Sequence, residues 1–261
     1  MMCDSIEDDE LSSSIGHHGA YIWETKRILE LYIETQSYDA VREAVIEENL
    51  LRKSSDAYRE RILSEIARRY EIDKNGYAET PLIRICKQVR SDSIHEWVLY
   101  YEFSREPVVM LLTTEFLYPK FHSGALSIDQ QDVIEFLENV KSDYPSIREW
   151  SSKTLERVAR HYLAALKDFD ILEGSHQKEF KYVFIPDELV LYVLYSLFER
   201  DITTADAVVS HREWKLLLMD EDDVRQRLHH LSPTHVQYEK RGSVERLTPE
   251  YDSLLECVDA F

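Results

Sequence analysis

Only 6 glycines and 7 prolines occur among 261 residues. A β-sandwich or barrel needs turn residues every ~8–12 positions, and this chain does not supply them. The scarcity predicts a mainly α fold of long helices. A hydrophobic fraction of 44% is enough for a core, so the chain is not disordered as a whole. Periodicity agrees. Ser37 reads as the N-cap of a helix over 38–48, and Ser54 or Ser55 as the cap of one reaching about Tyr70. Pro81 and Pro107 each start a further helix, through about Val89 and Leu117. Ser93–Glu96, Ser127–Gln130 and Ser210–Glu213 read as capping boxes.

The chain divides into an expected flexible acidic arm (1–19), an N-terminal helical domain (20–144) and a C-terminal winged-helix-like domain (145–261). The second half changes style. A helix from Lys153 to Phe169 is followed by a predicted strand, Phe180 to Ile185, rich in aromatic and β-branched residues. A helix over 222–231 is followed by a hairpin turning at Arg241-Gly242. Helix then hairpin, twice, is the order of a winged helix-turn-helix module.

Net charge is −19. That balance argues against a protein that merely coats DNA and against binding to anionic membranes. It also fits a saline cytoplasm. An acidic mean can still hide a basic face, and the helix from Lys153 carries one. With Lys153 as origin, Arg157, Arg160, Ala164 and Lys167 fall within about 40° at ~3.6 residues per turn. Leu155, Val158, Ala159, Tyr162, Leu163 and Leu166 gather on the other side. The cations suit phosphate contacts, Thr154 adds a hydrogen-bonding group, and Lys178 and Lys181 sit on the expected wing. A solvated helix back explains the same charges. Lys240 and Arg241 mark a second hairpin tip. Arg52, Lys53, Arg84, Lys87 and Arg90 form a secondary basic cluster: Arg52 and Lys53 belong to a stretch reaching Arg69 that reads as salt-bridged packing, and Arg84, Lys87 and Arg90 to one without nearby acids.

Catalytic motifs are lacking: there is no GxSxG, P-loop, GxGxxG or HExxH. No catalytic residue, metal site or cofactor is therefore expected. Cys3, Cys86 and Cys257 have no metal spacing and read as free thiols of a reducing cytoplasm. The acidic N-terminus lacks the apolar stretch of a signal peptide, and no window is apolar enough for a transmembrane helix.

Several stretches are familiar. Asn49-Leu50-Leu51-Arg52-Lys53-Ser54-Ser55, with Arg61-Ile62-Leu63 and Arg68-Arg69-Tyr70, resembles the N-terminal signature of BrxA. BrxA is a component of BREX, the bacteriophage-exclusion system. Trp150 to Arg157 and Leu166 to Gly174 resemble its middle. Trp214 to Leu218, Asp223-Val224 and Tyr238 to Gly242 resemble its C-terminal part. The likeness runs from about residue 20 to 247. It implies a non-enzymatic protein with a NusB-like helical bundle followed by a winged-helix part, binding double-stranded DNA. It also implies company: an ATPase, a methyltransferase and an alkaline-phosphatase-like protein of the same system. Two other functions fit the residues. The acidic surface suits a protein–protein adaptor in the defence complex, and a NusB-like half suits RNA.

Overall fold

A computed structural model describes residues 8, 11–16, 19–242 and 244–261. Cys3 and the His17-His18 pair lie outside the described residues. The first half is a succession of helices: α1 (Ile22–Thr35), α2 (Tyr38–Ile46), α3 (Asp56–Arg69), α4 (Pro81–Gln88), α5 (Asp92–Ser104), α6 (Pro107–Leu112) and α7 (Tyr118–His122). Hydroxyls begin most of them. Ser37 accepts from Ala40 N, Ser55 from Tyr58 N and Thr80 from Ile83 N, each satisfying a backbone donor that has no partner within the helix. A π turn, Thr113–Leu117, joins α6 to α7 just ahead of Pro119, whose ring has no N–H to donate.

Strand β1 (Ser127–Ile128), α8 (Gln130–Asn139), α9 (Pro145–Arg148) and α10 (Ser152–Asp168) follow. Then come β2 (Leu172–Glu173), β3 (Lys178–Phe180), α11 (Asp187–Phe198), α12 (Ala205–Val209) and a 3-10 turn over Arg212–Leu217. The chain ends with α13 (Glu221–Leu231), the hairpin β4 (Val236–Arg241) and β5 (Val244–Pro249), and α14 (Leu254–Val258). The protein is mainly helical, with two small antiparallel sheets. One sheet has the order β1-β3-β2 and the other pairs β4 with β5.

The three expected capping boxes move. Ser91, not Ser93, caps α5. Ser127 belongs to β1, and the reciprocal box forms instead between Asp129 and Asp132 at α8. Ser210 ends α12, and the His211 ring accepts from Glu213 N at the 3-10 turn. A second reciprocal box, Asp220 with Asp223, opens α13. The expected strand over 180–185 shrinks to Lys178–Phe180, because its partner β2 is two residues long. Pairing ends where Lys181 N donates to Ile171 O, and the chain continues extended but unladdered.

The expected boundary near 144 is crossed by the β1–β3 ladder, with Ser127 opposite Glu179 and Ile128 opposite Lys178. It is also crossed by buried hydrogen bonds. Tyr100 Oη donates to Leu216 O at 2.8 Å, and Thr113 bonds the Tyr162 hydroxyl at 3.0 Å. Buried apolar side chains from Leu11 to Val258 form one continuous cluster. Within the expected arm, Leu11 and Ile15 are buried, and the 3-10 turn Ser13–Gly16 packs on α10. The Asp8 carboxylate accepts from Ser146 N and Oγ at 2.9 to 3.1 Å, capping a helix far along the chain.

Candidate nucleic-acid interface

Helix α10 is amphipathic by its sequence, and the fold uses the pattern as written. Leu155, Val158, Ala159, Tyr162, Leu163, Ala165 and Leu166 are buried. Lys153, Arg160, Ala164 and Lys167 are exposed, and Arg157 and Thr154 half-buried. Ser151 caps the helix, accepting from Thr154 N and bonding the Thr154 hydroxyl. Thr154 is thus partly spent on the helix start. The four cations form no ion pair among the described residues, and the half-buried Arg157 Nε has no hydrogen-bond partner there. An unpaired, partly desolvated guanidinium is costly unless an anion meets it.

Beside this face lies a groove of about 740 Å³. Arg160 and Lys167 of α10 form one wall. The β2–β3 loop, with His176 and Lys178, forms the second, and Asp129 to Gln131 at the start of α8 the third. The loop depends on Gly174, whose φ is +96° and whose position leaves 2.3 Å between a would-be Cβ and Gln177 O. Lys178 folds its ammonium back onto Gly174 O (3.1 Å) and Ser175 O. Partial desolvation, reinforced by the positive charge of Lys167, holds its pKa below the ordinary lysine value. Acids are present too. Glu156 and Asp168 reach the groove, and burial raises the Asp168 carboxyl.

The other sequence-predicted cations are occupied to differing degrees. Lys181 contacts both Asp170 oxygens at 2.6 Å. Lys240 pairs with Glu245 at 2.8 Å and Arg241 with Glu239 at 3.2 Å. In the secondary cluster Lys53 pairs with Glu24, Arg84 with Glu79 and Asp259, and Lys87 with Glu79. Arg52 and Arg90 are exposed without an ion pair among the described residues. Arg59 and Arg69 are buried in hydrogen bonds and ion pairs, as salt-bridged packing requires. The structure thus brings Arg160, Lys167 and Lys178 together on one groove and leaves the β4–β5 tip apart from its lining. Sequence reasoning missed Gln130 and Gln131 as groove walls. The Asp129-x-x-Asp132 spacing, which fixes the start of α8, was the signal that placed them.

Among the described residues no group of His, Cys, Asp and Glu could hold a metal ion, and no helix is long and apolar enough to cross a membrane. Burial raises the thiols of Cys86 and Cys257 to about 12, which keeps them protonated at neutral pH.

No curated protein matches the sequence. Among solved structures, an uncharacterized protein from Magnetospirillum magneticum superposes with a TM-score of 0.58 at 17% identity, covering 78% of this chain and 98% of that one. That likeness is one of fold. The BrxA family model matches residues 10–195, well over half of the chain and including α1 to α10, the groove and β3. The chain therefore belongs to the BrxA family, the defence proteins associated with BREX.

Proposed function

We propose that this protein is a non-enzymatic accessory factor of a cytoplasmic BREX anti-phage system that binds double-stranded DNA. Helix α10 lies along the duplex, and the β2–β3 loop serves as a wing. The observation that carries this reading is the set of four cations on one face of α10, none of them ion-paired among the described residues. Element order supports it. Helix, short strand, three helices (α9 a single turn) and a hairpin, with strands ordered β1-β3-β2, resembles the order of a winged helix-turn-helix, here starting before residue 145. In such units the second helix of the turn enters the major groove. Lys153, Arg157, Arg160 and Lys167 then meet phosphates or base edges, and Lys178 reaches the backbone across the wing.

The test is an equilibrium titration of short duplex DNA at several salt concentrations. Log affinity should fall linearly with log salt, with a slope of roughly −0.9 per neutralised phosphate. Replacing the exposed Lys153, Arg160 and Lys167 by Glu and the half-buried Arg157 by Gln should abolish binding while leaving the melting temperature nearly unchanged. Undiminished binding by that variant would overturn the assignment. The net charge of −19 favours a second reading, an adaptor that docks a basic partner of the defence complex. Absence of duplex binding at low salt, together with a partner retained after nuclease treatment, would move that reading to first place.

A further inference from the structure

The groove beside α10 is too small for the duplex assigned to the helix face. Its volume of about 740 Å³ falls in the range of small-molecule sites, roughly 300–1,000 Å³. A double helix, whose major groove alone is about 12 Å wide, passes over such a cleft without filling it. Nor is the lining that of a plain anion hole. With His176 neutral, Arg160, Lys167 and Lys178 share it with Asp129, Glu156 and Asp168, three cations against three acids. A bare anion gains little from a wall whose opposite charges balance.

The charges are sorted by position. Lys167 stands at one end of the α10 wall, and its positive charge bears on Lys178 of the facing loop. No acid pairs with Lys167 among the described residues, and the Lys178 ammonium is folded back onto Gly174 O (3.1 Å) and Ser175 O. Asp168 borders this end without an ion pair, one acid beside two cations. Glu156 lies about three turns earlier on α10, about 16 Å away at ~1.5 Å of rise per residue. Its exposed carboxylate has no partner among the described residues. Beside it the Gln130 amide donates to Glu156 O at 3.0 Å and ties α8 to α10. A carboxylate accepts and cannot donate, so this end asks for a hydrogen-bond donor. Arg160, one turn on from Glu156, adds a planar guanidinium that stacks on flat rings. Between the two ends, Leu163 and Ala164 of α10 give the wall an apolar stretch.

A ligand that satisfies this groove is anionic at one end, flat and weakly polar in the middle, and a hydrogen-bond donor at the other end. We infer that the groove binds a free nucleoside phosphate with an amino-bearing base, its phosphate between Lys167 and Lys178 and its amine toward Glu156. Arg160 and Ala164 underlie the base and sugar. The three cations are shared with the DNA face, so nucleotide and duplex exclude one another. That exclusion rests on the DNA reading above, whereas the nucleotide site stands without it.

The experiment is calorimetry on the full chain at low salt with four probes: AMP, adenosine, inorganic phosphate and IMP, in which an oxygen replaces the amine. AMP should bind about tenfold more tightly than each of the other three, since each lacks one charged hydrogen-bonding contact. Lys167→Ala should weaken AMP about tenfold, and Glu156→Gln should erase most of the preference for AMP over IMP. Both side chains are exposed, so the variants keep the fold. Lys153 lies outside the groove lining, and Lys153→Ala should weaken a short duplex while AMP binds as before. Equal affinity for AMP and inorganic phosphate reduces the groove to an anion site and overturns the inference. Absence of AMP binding overturns it as well and leaves the DNA reading standing, and a single-stranded oligo-dA that binds where AMP does not assigns the groove to nucleic acid alone. AMP binding without duplex binding supports the site and removes the DNA reading. AMP and duplex bound together support the site and overturn the exclusion.

Discussion

At the scale of single residues, the strongest polar constraint lies under the surface rather than on it. Glu213 is 3% exposed and is held by Arg200 through two bonds of 2.6 and 2.7 Å, with the Tyr101 hydroxyl donating at 2.5 Å. Burial works against the carboxylate, and the Arg200 guanidinium more than offsets it, so its pKa is lowered. Replacing Arg200 by Ala leaves a buried charge unpaired and should cost about 3–5 kcal/mol in urea denaturation. A loss below about 1 kcal/mol would show that the network carries no stability. Glu245 answers to pH instead. Lys240, Tyr238 and Arg225 hold its carboxyl at about 2, against an ordinary 4.5. Its contribution is complete above pH 4.5 and is lost as the pH falls toward 2. Glu245→Gln should flatten the fall in melting temperature across that window, measured by circular dichroism; an unchanged slope would rule the group out. The same pairing accounts for Lys240, a cation that sequence reasoning offers to DNA and the fold engages with Glu245.

Elements show what short range fixes and what it does not. The amphipathic face of α10 is legible because each buried position is set by its own neighbours one turn away. Ser37 and Ser55 are legible as caps for the same reason. Strand β1 is not, since two residues have no period and gain their identity from Lys178 and Glu179, far along the chain. The misplaced boxes have a related cause. Ser93 has the acid three residues on that a capping box asks for and Ser91 does not, yet Ser91 caps the helix by accepting from Ile94 N, so the acid alone does not locate the start. The shape of the β2–β3 loop rests on Gly174. Gly174→Ala should weaken duplex binding at least fivefold while lowering the melting temperature by only a few degrees, checked by titration and calorimetry. Equal affinity would mean the loop does not touch DNA. The segment before α1 makes the opposite case. Acidic composition suggests a solvated arm, but Leu11 and Ile15 are 5% and 3% exposed. Each replaced by Ala should cost about 2–5 kcal/mol in chemical denaturation, where a solvated arm would cost nothing.

For the whole molecule, −19 charges set two opposing responses to salt. Screening relieves self-repulsion and should raise the melting temperature between low salt and about 0.15 M, where the Debye length falls to ~8 Å. Over the same range duplex affinity should fall, because bound phosphates release counterions. Parallel changes in both quantities would contradict a local basic face on an acidic body. The family and the mainly helical class were legible across the sequence, because motifs and turn scarcity are spread along it. How the two halves share a core was not, since it depends on pairings between distant residues.

The β1–β3 ladder has a consequence for synthesis. Lys178 leaves the ribosome about 50 residues after Ile128, so at ~5–20 residues per second residues 127–128 wait roughly 3–10 s for the partner that makes them a strand. The interval opens with α1 to α7 made, sees α8, α9 and α10 emerge, and lacks the strand that closes the small sheet until its end. A translational pause placed between these positions lengthens that vulnerable interval; one placed after Phe180 does not.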